Sequence, residues 1–269
     1  MRIGILTSND IRHRYVVNAL RVELEVTAVC YQETGYLPAD TAAEAIDERT
    51  AAISAHHFDE RRRQERAFFG HNADAVADSA ACGVRTVDAK TLNTPATLSF
   101  LRSCGVEAVA VYGTGLIKSP LLEAYAGRLI NLHLGLSPYY RGTATNFYPL
   151  VNDEPEYVGA TIHLIDLGID SGAIVHHARP EITADDQPHT VGCKAILAGV
   201  AKLVQALLEL GQGRLVAVPQ WAVVNPRLYL RKDYHPSQVV ELYRLIERGL
   251  FPKYVARKHR VENAMRLIG

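Results

Sequence analysis

The chain has 269 residues, enough to bury a large core as one sizeable domain with an appendage or as two small domains. Its 29 basic and 29 acidic residues cancel, which makes nucleic acid an unlikely partner, although a local basic patch could persist within this balance. The four cysteines lie far apart with no metal-ligand spacing, so we expect free thiols in a reducing, cytoplasmic setting. No apolar run approaches the roughly 18 residues of a membrane span, and no membrane association is expected.

The first part of the chain alternates strand and helix. Apolar runs at 2–7 and 26–31 predict two buried strands, and the segment between them, about 11–22, is predicted to be helical. A β-α-β opening of this kind is typical of a Rossmann-like, doubly wound α/β fold with a mostly parallel sheet. The loop after the first strand lacks GxGxxG, so a dinucleotide-binding site is not indicated.

A change in composition to Ala, Glu and Arg over about 39–70 predicts a helix or helical hairpin inserted into this alternation. Two interpretations of Arg61, Arg62 and Arg66 stay open. They form a solvated charged face, or they reach an anionic substrate.

After the insertion the alternation resumes, and it ends before a segment of different character. The predicted elements are a helix at 72–82, a strand at 84–87, a helix from 94, a strand at 106–112, a short helix from 119, a strand at 128–133, a helix at 143–151, strands at 158–165 and 173–178, and a helix at 189–210. We predict one domain over 1–211 and a small α+β extension over 212–269. The extension is predicted to hold a β-like piece around Trp221 and a helix at 236–248, and its aromatic residues could form a homodimer surface or pack on their own core.

Two polar residues, Asn131 and His133, lie at the end of a predicted apolar strand. Because they are two residues apart, they project from the same face of that strand. The carboxyl end of a strand is where open α/β sheets bind ligands. On the preceding strand, Tyr112 is followed by Gly113 and Gly115, and glycines let backbone approach a ligand closely. The pattern predicts a ligand site at this edge.

An amide beside an imidazole can donate hydrogen bonds to an oxygen that gains charge in acyl transfer. A carboxylate near the imidazole would stabilise its protonated form and help to move a proton. Asp166 and Asp170, in a glycine-bracketed loop, are both candidates. No Ser or Cys lies in a recognisable nucleophile elbow, which favours direct transfer to a bound acceptor. His176 and His177 alternate on a strand and are interpreted as structural, because they cannot both face one metal ion.

These motifs carry a resemblance to a known family. Asn131-x-His133, with Pro138 and Gly142 after it and Asp-x-Gly-x-Asp-x-Gly over 166–172, resembles the 10-formyltetrahydrofolate-dependent formyltransferases. Methionyl-tRNA, glycinamide ribonucleotide and sugar N-formyltransferases belong to that family. The similarity extends over most of the predicted domain, more loosely at its start.

The resemblance implies an enzyme that uses 10-formyltetrahydrofolate as co-substrate and needs no metal. Asn131, His133 and Asp170 match the catalytic residues of the family. The positions that match its cofactor-binding walls are Gly115, Leu116, Ile117, Asp166, Gly168 and Ile169.

The acceptor site is less defined. The resemblance places an acceptor near the start of the first helix, where Asn9, Asp10 and Arg12 could instead be a helix cap and solvated surface. Tyr139 and Arg141 either contact the acceptor or pack within their loop.

Two positions depart from the family pattern. Gly135 stands where the family usually has Ser, and Ser137 where it usually has Leu. Neither position is catalytic, but we expect the packing of this loop, and its acceptor contacts, to differ.

A methionyl-tRNA enzyme of this family would carry a further C-terminal β-barrel domain and a basic surface, and a glycinamide ribonucleotide enzyme would lack the insertion and the extension. The first candidate acceptor is therefore a small-molecule amine, a nucleotide-linked amino sugar. The second is an amino acid or a hydroxylamine such as hydroxyornithine, and methionyl-tRNA ranks below both. A folate-binding protein on a retired enzyme core is the non-enzyme alternative.

Overall fold

The computed structural model describes residues 1–33, 47–73 and 82–269 of the chain. The strands are β1 (Ile3–Ser8), β2 (Val26–Gln32), β3 (Gly83–Val87), β4 (Ala108–Tyr112), β5 (Leu129–His133), β6 (Tyr140–Gly142), β7 (Ala160–Leu164), β8 (Ile174–Ala178) and β9 (Arg227–Tyr229). The helices are α1 (Ile11–Glu23), α2 (Glu48–Ala73), α3 (Pro95–Ser103), α4 (Leu121–Ala124), α5 (Tyr148–Val151), α6 (Pro188–Gly211), α7 (Pro236–Glu247) and α8 (Leu250–Asn263).

Seven strands form the central sheet, in the order β3-β2-β1-β4-β5-β7-β8. The five strands from β3 to β5 pair in parallel, and β7 and β8 extend the sheet in antiparallel pairings. The prediction of a doubly wound, mostly parallel sheet is thus confirmed. Strands β1 to β3 are added toward one edge of the sheet and β4 and β5 toward the other, so the strand order reverses between β1 and β4 and opens a crevice at their carboxyl ends.

Helix α6 covers the part of the sheet that carries β5, β7 and β8. It begins at Pro188, in its first turn, and the preceding Gln187 caps it: the Gln187 N–H donates to Thr190 Oγ1 at 2.9 Å. By length and composition alone α6 is apolar enough to cross a membrane, but the core helix of a globular domain can have the same length and composition. Its residues Leu203 and Ala206 are fully buried in the main hydrophobic cluster.

Two predicted helices differ from the structure. The helix predicted over 143–151 is wrong except for Tyr148–Val151, because Gly142 and Ala144 adopt left-handed conformations (φ +93° and +54°) that a right-handed helix cannot contain. Of the helix predicted over 72–82, the first two residues end α2, and residues 74–81 lie outside the described residues. So do residues 39–46 of the predicted insertion.

The extension also differs from its prediction. The piece around Trp221 is not a strand, and the strand of this segment is β9, which pairs in parallel with β6. Helix α8 was not predicted at all. Gly249, with φ +85°, separates it from α7 (Pro236–Glu247), which corresponds to the helix predicted over 236–248.

Residues after 211 share a hydrophobic core with residues before it. Leu242, Phe251 and Tyr254 of α7 and α8 are at most 2% exposed and belong to one cluster with Leu150 and Val191. The predicted division at 211–212 falls at the end of α6, and the side chains on its two sides pack together.

Replacing Phe251 with Ala is therefore expected to destabilise the whole chain by about 3–5 kcal/mol, the usual cost of emptying a buried aromatic site. Urea unfolding followed by circular dichroism and by Trp221 fluorescence should show one shared transition, shifted to lower urea. Leu208→Ala, at a position 42% exposed, is the control and should shift it little. Two separate transitions would contradict the shared core.

The contact between α2 and α6 contains a buried pair of histidines. The rings of His57 and His189 lie 4.3 Å apart, and the two residues are 6% and 9% exposed. Burial lowers the pKa of His57 to about 3 and that of His189 to about 4. Both rings are therefore neutral at neutral pH.

This pair predicts a loss of stability in acid. An unfolded histidine binds its proton near pH 6.5, so between about pH 6.5 and pH 4 the unfolded chain binds more protons than the folded chain. Because of this difference, the free energy of unfolding falls as the pH is lowered, by up to about 1.4 kcal/mol per pH unit for each such histidine.

Urea unfolding of the wild type and of His189→Phe at several pH values in this window tests the prediction. The variant should show the smaller pH dependence, and His259→Phe, at an exposed position, should match the wild type. Equal pH dependence in all three proteins would contradict it.

Candidate active site

The Asn-x-His motif lies at the carboxyl end of β5, beside Asp170. Asp170 Oδ2 lies 3.2 Å from His133 Nδ1, and Asp170 Oδ1 accepts a hydrogen bond from Asn131 Nδ2 at 3.3 Å. The Asp170 side chain is 16% exposed. The structure thus brings together the three residues that the sequence singled out for chemistry.

Backbone geometry sets the position of the carboxylate. Asp170 has φ +47°, a conformation that is uncommon and costly for a residue other than glycine. The Gly142 N–H donates to Asp170 Oδ2 at 3.0 Å. Gly142 itself has φ +93°, and a Cβ there would collide with the Tyr229 carbonyl oxygen. This loop position therefore requires glycine.

The Asp170 carboxyl is ionised at neutral pH. Burial opposes its charge, but the imidazoles of His133 and His163 and the hydrogen bond from Gly142 outweigh burial and hold its pKa far below the ordinary value.

The imidazole of His133 is held from both sides. Its Nε2 lies 3.1 Å from the Tyr140 carbonyl oxygen and 3.4 Å from Thr145 Oγ1. The Thr145 hydroxyl donates to the Leu134 carbonyl, so its oxygen is left to accept from Nε2. Hydrogen-bond acceptors therefore face both ring nitrogens. Burial lowers the pKa of His133, and the charge of Asp170 offsets only part of that effect.

Gly135 leaves room for this arrangement. A Cβ on Gly135 would lie 2.6 Å from His133 Nε2 and 2.7 Å from Thr145 Oγ1, closer than real Cβ contacts come. Thr145, which is 2% exposed, thus occupies the space beside the imidazole that a side chain at 135 would need. This contact accounts for the departure from Ser at that position.

His163 is a fourth member of the cluster, and the sequence did not reveal it. In the antiparallel pairing of β5 with β7 it lies opposite Asn131. Its Nε2 is 3.0 Å from Asn131 Nδ2 and 3.4 Å from Asp170 Oδ1, and its Nδ1 is 2.8 Å from the Leu164 carbonyl oxygen. The available signal was a histidine in an apolar strand just before the Asp-x-Gly loop.

The cluster lies in the wall of a cavity of about 540 Å³. All six positions predicted to bind the cofactor line this cavity: Gly115, Leu116, Ile117, Asp166, Gly168 and Ile169. Asp166 also shapes its own turn, because its Oδ1 accepts from Gly168 N–H at 3.0 Å and from Ser171 Oγ at 2.8 Å.

The predicted acceptor-binding residues separate into two groups. Arg12 lines the cavity, where its Nη1 pairs with Glu65 Oε1 at 2.6 Å. Asn9 and Asp10 are exposed and do not line it. Neither do Tyr139 and Arg141.

Tyr139 serves packing instead. Its hydroxyl donates to the Arg266 carbonyl and accepts from the Arg266 N–H, both at 3.1 Å. Its ring contacts Tyr157 and Trp221. Of the two interpretations of this residue, loop packing is the one that the geometry favours.

The inserted helix α2 contributes to the cavity through one face. Arg61 lines the cavity and donates from Nε to Glu65 Oε1 at 2.8 Å. Arg62 and Arg66 are exposed and do not line it. His13, which the sequence grouped with Arg12 as helix cap or anion-binding residue, also lines the cavity. Further lining residues that the sequence did not indicate are His57, Phe58, Glu65, Phe147, His189, Cys193 and Tyr234.

Histidines 176 and 177 make structural contacts, as expected. His176 Nε2 lies 2.9 Å from Glu209 Oε2, and His177 Nε2 lies 2.7 Å from the Ser137 carbonyl oxygen. Within the described ranges no group of three or more His, Cys, Asp or Glu side chains is arranged to hold a metal ion. The four cysteines are free thiols.

Comparison with solved structures supports the fold. A sugar N-formyltransferase from Shewanella sp. superposes with a TM-score of 0.55 at 19% identity, over 87% of this chain and 78% of that one. Phosphoribosylglycinamide formyltransferase from Anaplasma phagocytophilum gives a TM-score of 0.55 at 15% identity, over 87% and 99% of the two chains.

Sequence relatives are more similar over a shorter stretch. Methionyl-tRNA formyltransferase from Synechococcus elongatus is 32% identical over 164 residues, which are 59% of this chain and 50% of that protein. The enzyme of the same name from Burkholderia mallei is 38% identical over 116 residues, 43% of this chain and 35% of that protein. The matched region thus spans about half the length of these relatives or less.

The profile of the formyl transferase family matches residues 38–207, which is more than half of the chain and contains the Asn131, His133 and Asp170 cluster. The chain belongs to the formyl transferase family.

Proposed function

We propose that the chain is an N-formyltransferase that moves a formyl group from 10-formyltetrahydrofolate to the amine of a small molecule. The observation that carries this proposal is the contact of one ionised carboxylate, Asp170, with His133 Nδ1 (3.2 Å) and Asn131 Nδ2 (3.3 Å) at a cavity wall. Family membership supplies the class of reaction. The acceptor does not follow from it, because the matched relatives extend well beyond the shared region.

The residues present fit a donor that carries a fused heterocycle. Ile117, Ile165 and Ile169 line the cavity between the β4 loop and the Asp-x-Gly loop. Leu116 is 54% exposed at the same wall, and a Cβ on Gly115 would have no neighbour closer than 3.8 Å. Apolar walls with accessible backbone groups suit a fused heterocycle. 10-Formyltetrahydrofolate would supply the formyl group, which it carries on nitrogen.

Three side chains have separate roles in the transfer of the formyl group. Asn131 and His133 now direct their N–H groups at Asp170, at His163 and at the Tyr140 carbonyl. Each exchanges one of these partners for the formyl oxygen as the acceptor nitrogen attacks the carbon and that oxygen gains negative charge. Asp170 holds the imidazole in orientation and stabilises its protonated form. As the new C–N bond forms and the old one breaks, the proton lost by the amine passes by way of water to the departing nitrogen. Asp170 assists this transfer.

A nucleotide-linked amino sugar is the acceptor that we propose first. Arg61 and Arg231 line the cavity and could meet phosphate groups. Sugar N-formyltransferases share the fold over most of this chain, which is consistent with the proposal. An amino acid or hydroxylamine such as hydroxyornithine is the second candidate. A cytoplasmic location is part of the proposal, because four free thiols suit a reducing compartment. A homodimer through 212–269 stays a prediction.

Mass spectrometry of a metabolite extract incubated with the protein and 10-formyltetrahydrofolate tests the proposal. We expect one amine to gain a formyl group, and purified nucleotide-linked amino sugars, hydroxyornithine and methionyl-tRNA then identify the acceptor class. Tight folate binding without transfer to any amine would favour the folate-binding alternative.

Replacing His133 with Ala should reduce formyl transfer by at least a hundredfold, since a donor to a developing oxyanion is worth about 3 kcal/mol. Initial rates with saturating 10-formyltetrahydrofolate measure the effect. His71→Ala, at an exposed position, is the matched control. Unchanged turnover in the His133 variant would exclude the mechanism.

Replacing Gly135 with Ala should also impair transfer, although the position holds no functional group. The added Cβ would displace His133 or Thr145, and overpacking of this kind costs about 1–3 kcal/mol, so we expect a loss of roughly tenfold to a hundredfold. Gly70→Ala, where the nearest atom would be 3.5 Å away, should leave the rate unchanged. Wild-type activity in the Gly135 variant would show that the imidazole tolerates displacement.

A further inference from the structure

A segment of the C-terminal extension runs beside the loop that carries Asp170. Val218 and Ile174 exchange two backbone hydrogen bonds of 2.8 Å in an antiparallel bridge. Because paired residues run in opposite directions from such a bridge, Gln220 comes to lie opposite Gly172, the last residue of the Asp-x-Gly-x-Asp-x-Gly motif. This register brings an amide side chain of the extension against the catalytic loop.

The Gln220 side chain bonds that loop through its amide nitrogen. Its Nε2 donates to the Asp170 carbonyl oxygen at 2.7 Å and to the Gly172 carbonyl oxygen at 3.0 Å. A carbonyl only accepts, so both N–H groups of the amide are engaged and its orientation is fixed. Gln220 does not line the cavity. It therefore acts on the backbone of the loop and not on a bound ligand.

A second side chain donates to the same carbonyl. Ser137 is fully buried, and its Oγ donates to the Asp170 carbonyl oxygen at 3.3 Å. The Ser137 main chain is held separately, since its N–H donates to Thr161 Oγ1 at 2.9 Å and its carbonyl oxygen lies 2.7 Å from His177 Nε2. The Asp170 carbonyl oxygen thus accepts two hydrogen bonds, one for each of its lone pairs.

These two bonds act on a residue whose backbone conformation needs support. Asp170 has φ +47°, which a residue other than glycine keeps only where its surroundings hold it. Its carboxylate is held by the active-site side chains, and its carbonyl is held by Ser137 and Gln220. Relaxation of Asp170 to a right-handed conformation would break the second set of bonds and turn the carboxylate away from His133 Nδ1.

We propose that Gln220, with Ser137, is a positioning residue for formyl transfer. It fixes the left-handed backbone at Asp170 and so keeps the carboxylate on His133. This role rests on the proposed function, because it acts through the His133 and Asp170 pair to which the transfer is assigned. Neither Gln220 nor Ser137 lines the cavity, so their effect on the reaction passes through Asp170.

Initial rates of formyl transfer by the full chain test this role. Gln220→Met removes the amide donors and keeps the length of the side chain, and kcat should fall about tenfold, the factor expected for one lost hydrogen bond. Ser137→Ala should lower kcat about threefold, since it loses one longer bond and keeps its backbone bonds. Gln212→Met, at an exposed position, is the matched control and should leave the rate unchanged.

An NMR titration of His133 gives a readout that a merely structural role would not move. The signal of His133 is the one absent from His133→Ala. Because the charge of Asp170 favours the protonated imidazole, Gln220→Met should lower the pH at which His133 titrates. The other charged or titratable neighbours of the ring, His163 and Arg141, are the same in each variant. In an Asp170→Asn background Gln220→Met should leave the titration unchanged, since no carboxylate is then positioned.

Wild-type kcat and wild-type titration in both Gln220→Met and Ser137→Ala would overturn the positioning role. A slower Gln220 variant in which His133 titrates as in the wild type would also overturn it, and so would a shift that persists in the Asp170→Asn background. In both cases the effect would pass through the fold and not through the carboxylate. Circular dichroism shows whether each variant is folded, and if Gln220→Met is not, Ser137→Ala decides.

The two proposals fail in different ways. A His133 titration that depends on Gln220, without formyl transfer to any amine, would contradict the proposed function and support the positioning of Asp170. Formyl transfer by Gln220→Met at the wild-type rate, with an unchanged titration, would contradict the positioning role alone.

Discussion

The site depends on one ionised carboxylate that the fold keeps largely out of water. Four polar groups surround Asp170: the side chains of Asn131, His133 and His163, and the Gly142 N–H. They come from β5, from β7 and from the last residue of β6. A charge at 16% exposure needs such partners, and each partner is in turn oriented by the charge. The sheet, the loop and the left-handed backbone at Asp170 are therefore constrained together.

Local sequence patterns were sufficient to predict part of this site. Alternation on a strand placed Asn131 and His133 on one face, and the glycine-bracketed loop pointed to Asp170. His163 could not be found in this way, because its place opposite Asn131 depends on the register of an antiparallel pair of strands that are distant in sequence. Three further lining histidines, His13, His57 and His189, come from α1, α2 and α6, so only the packing of helices brings them to the cavity.

Predictions failed where distant contacts override local tendency. A helix seemed to begin at 143, but left-handed residues on either side of that position delay it to Tyr148. For Tyr139 the sequence left acceptor contact and loop packing open, and its hydroxyl bonds the main chain of Arg266, 127 residues away. No local sequence pattern predicts the left-handed residues near 143 or the contact between Tyr139 and Arg266. Gly135 is the reverse case. It departs from the Ser of the family pattern, and the volume of the Thr145 side chain explains why.

The pairing of β6 with β9 places the C-terminal extension next to the Gly142 peptide that bonds the Asp170 carboxylate. The peptide unit of Gly142 bonds the Asp170 carboxylate on one side, and its Cα faces the Tyr229 carbonyl so closely that no side chain fits between them. Strand β9 of the extension thus packs directly against the segment that ends at Gly142. A chimaera that exchanged residues 212–269 would keep Asn131, His133 and Asp170 but would replace the strand that packs against the Gly142 peptide.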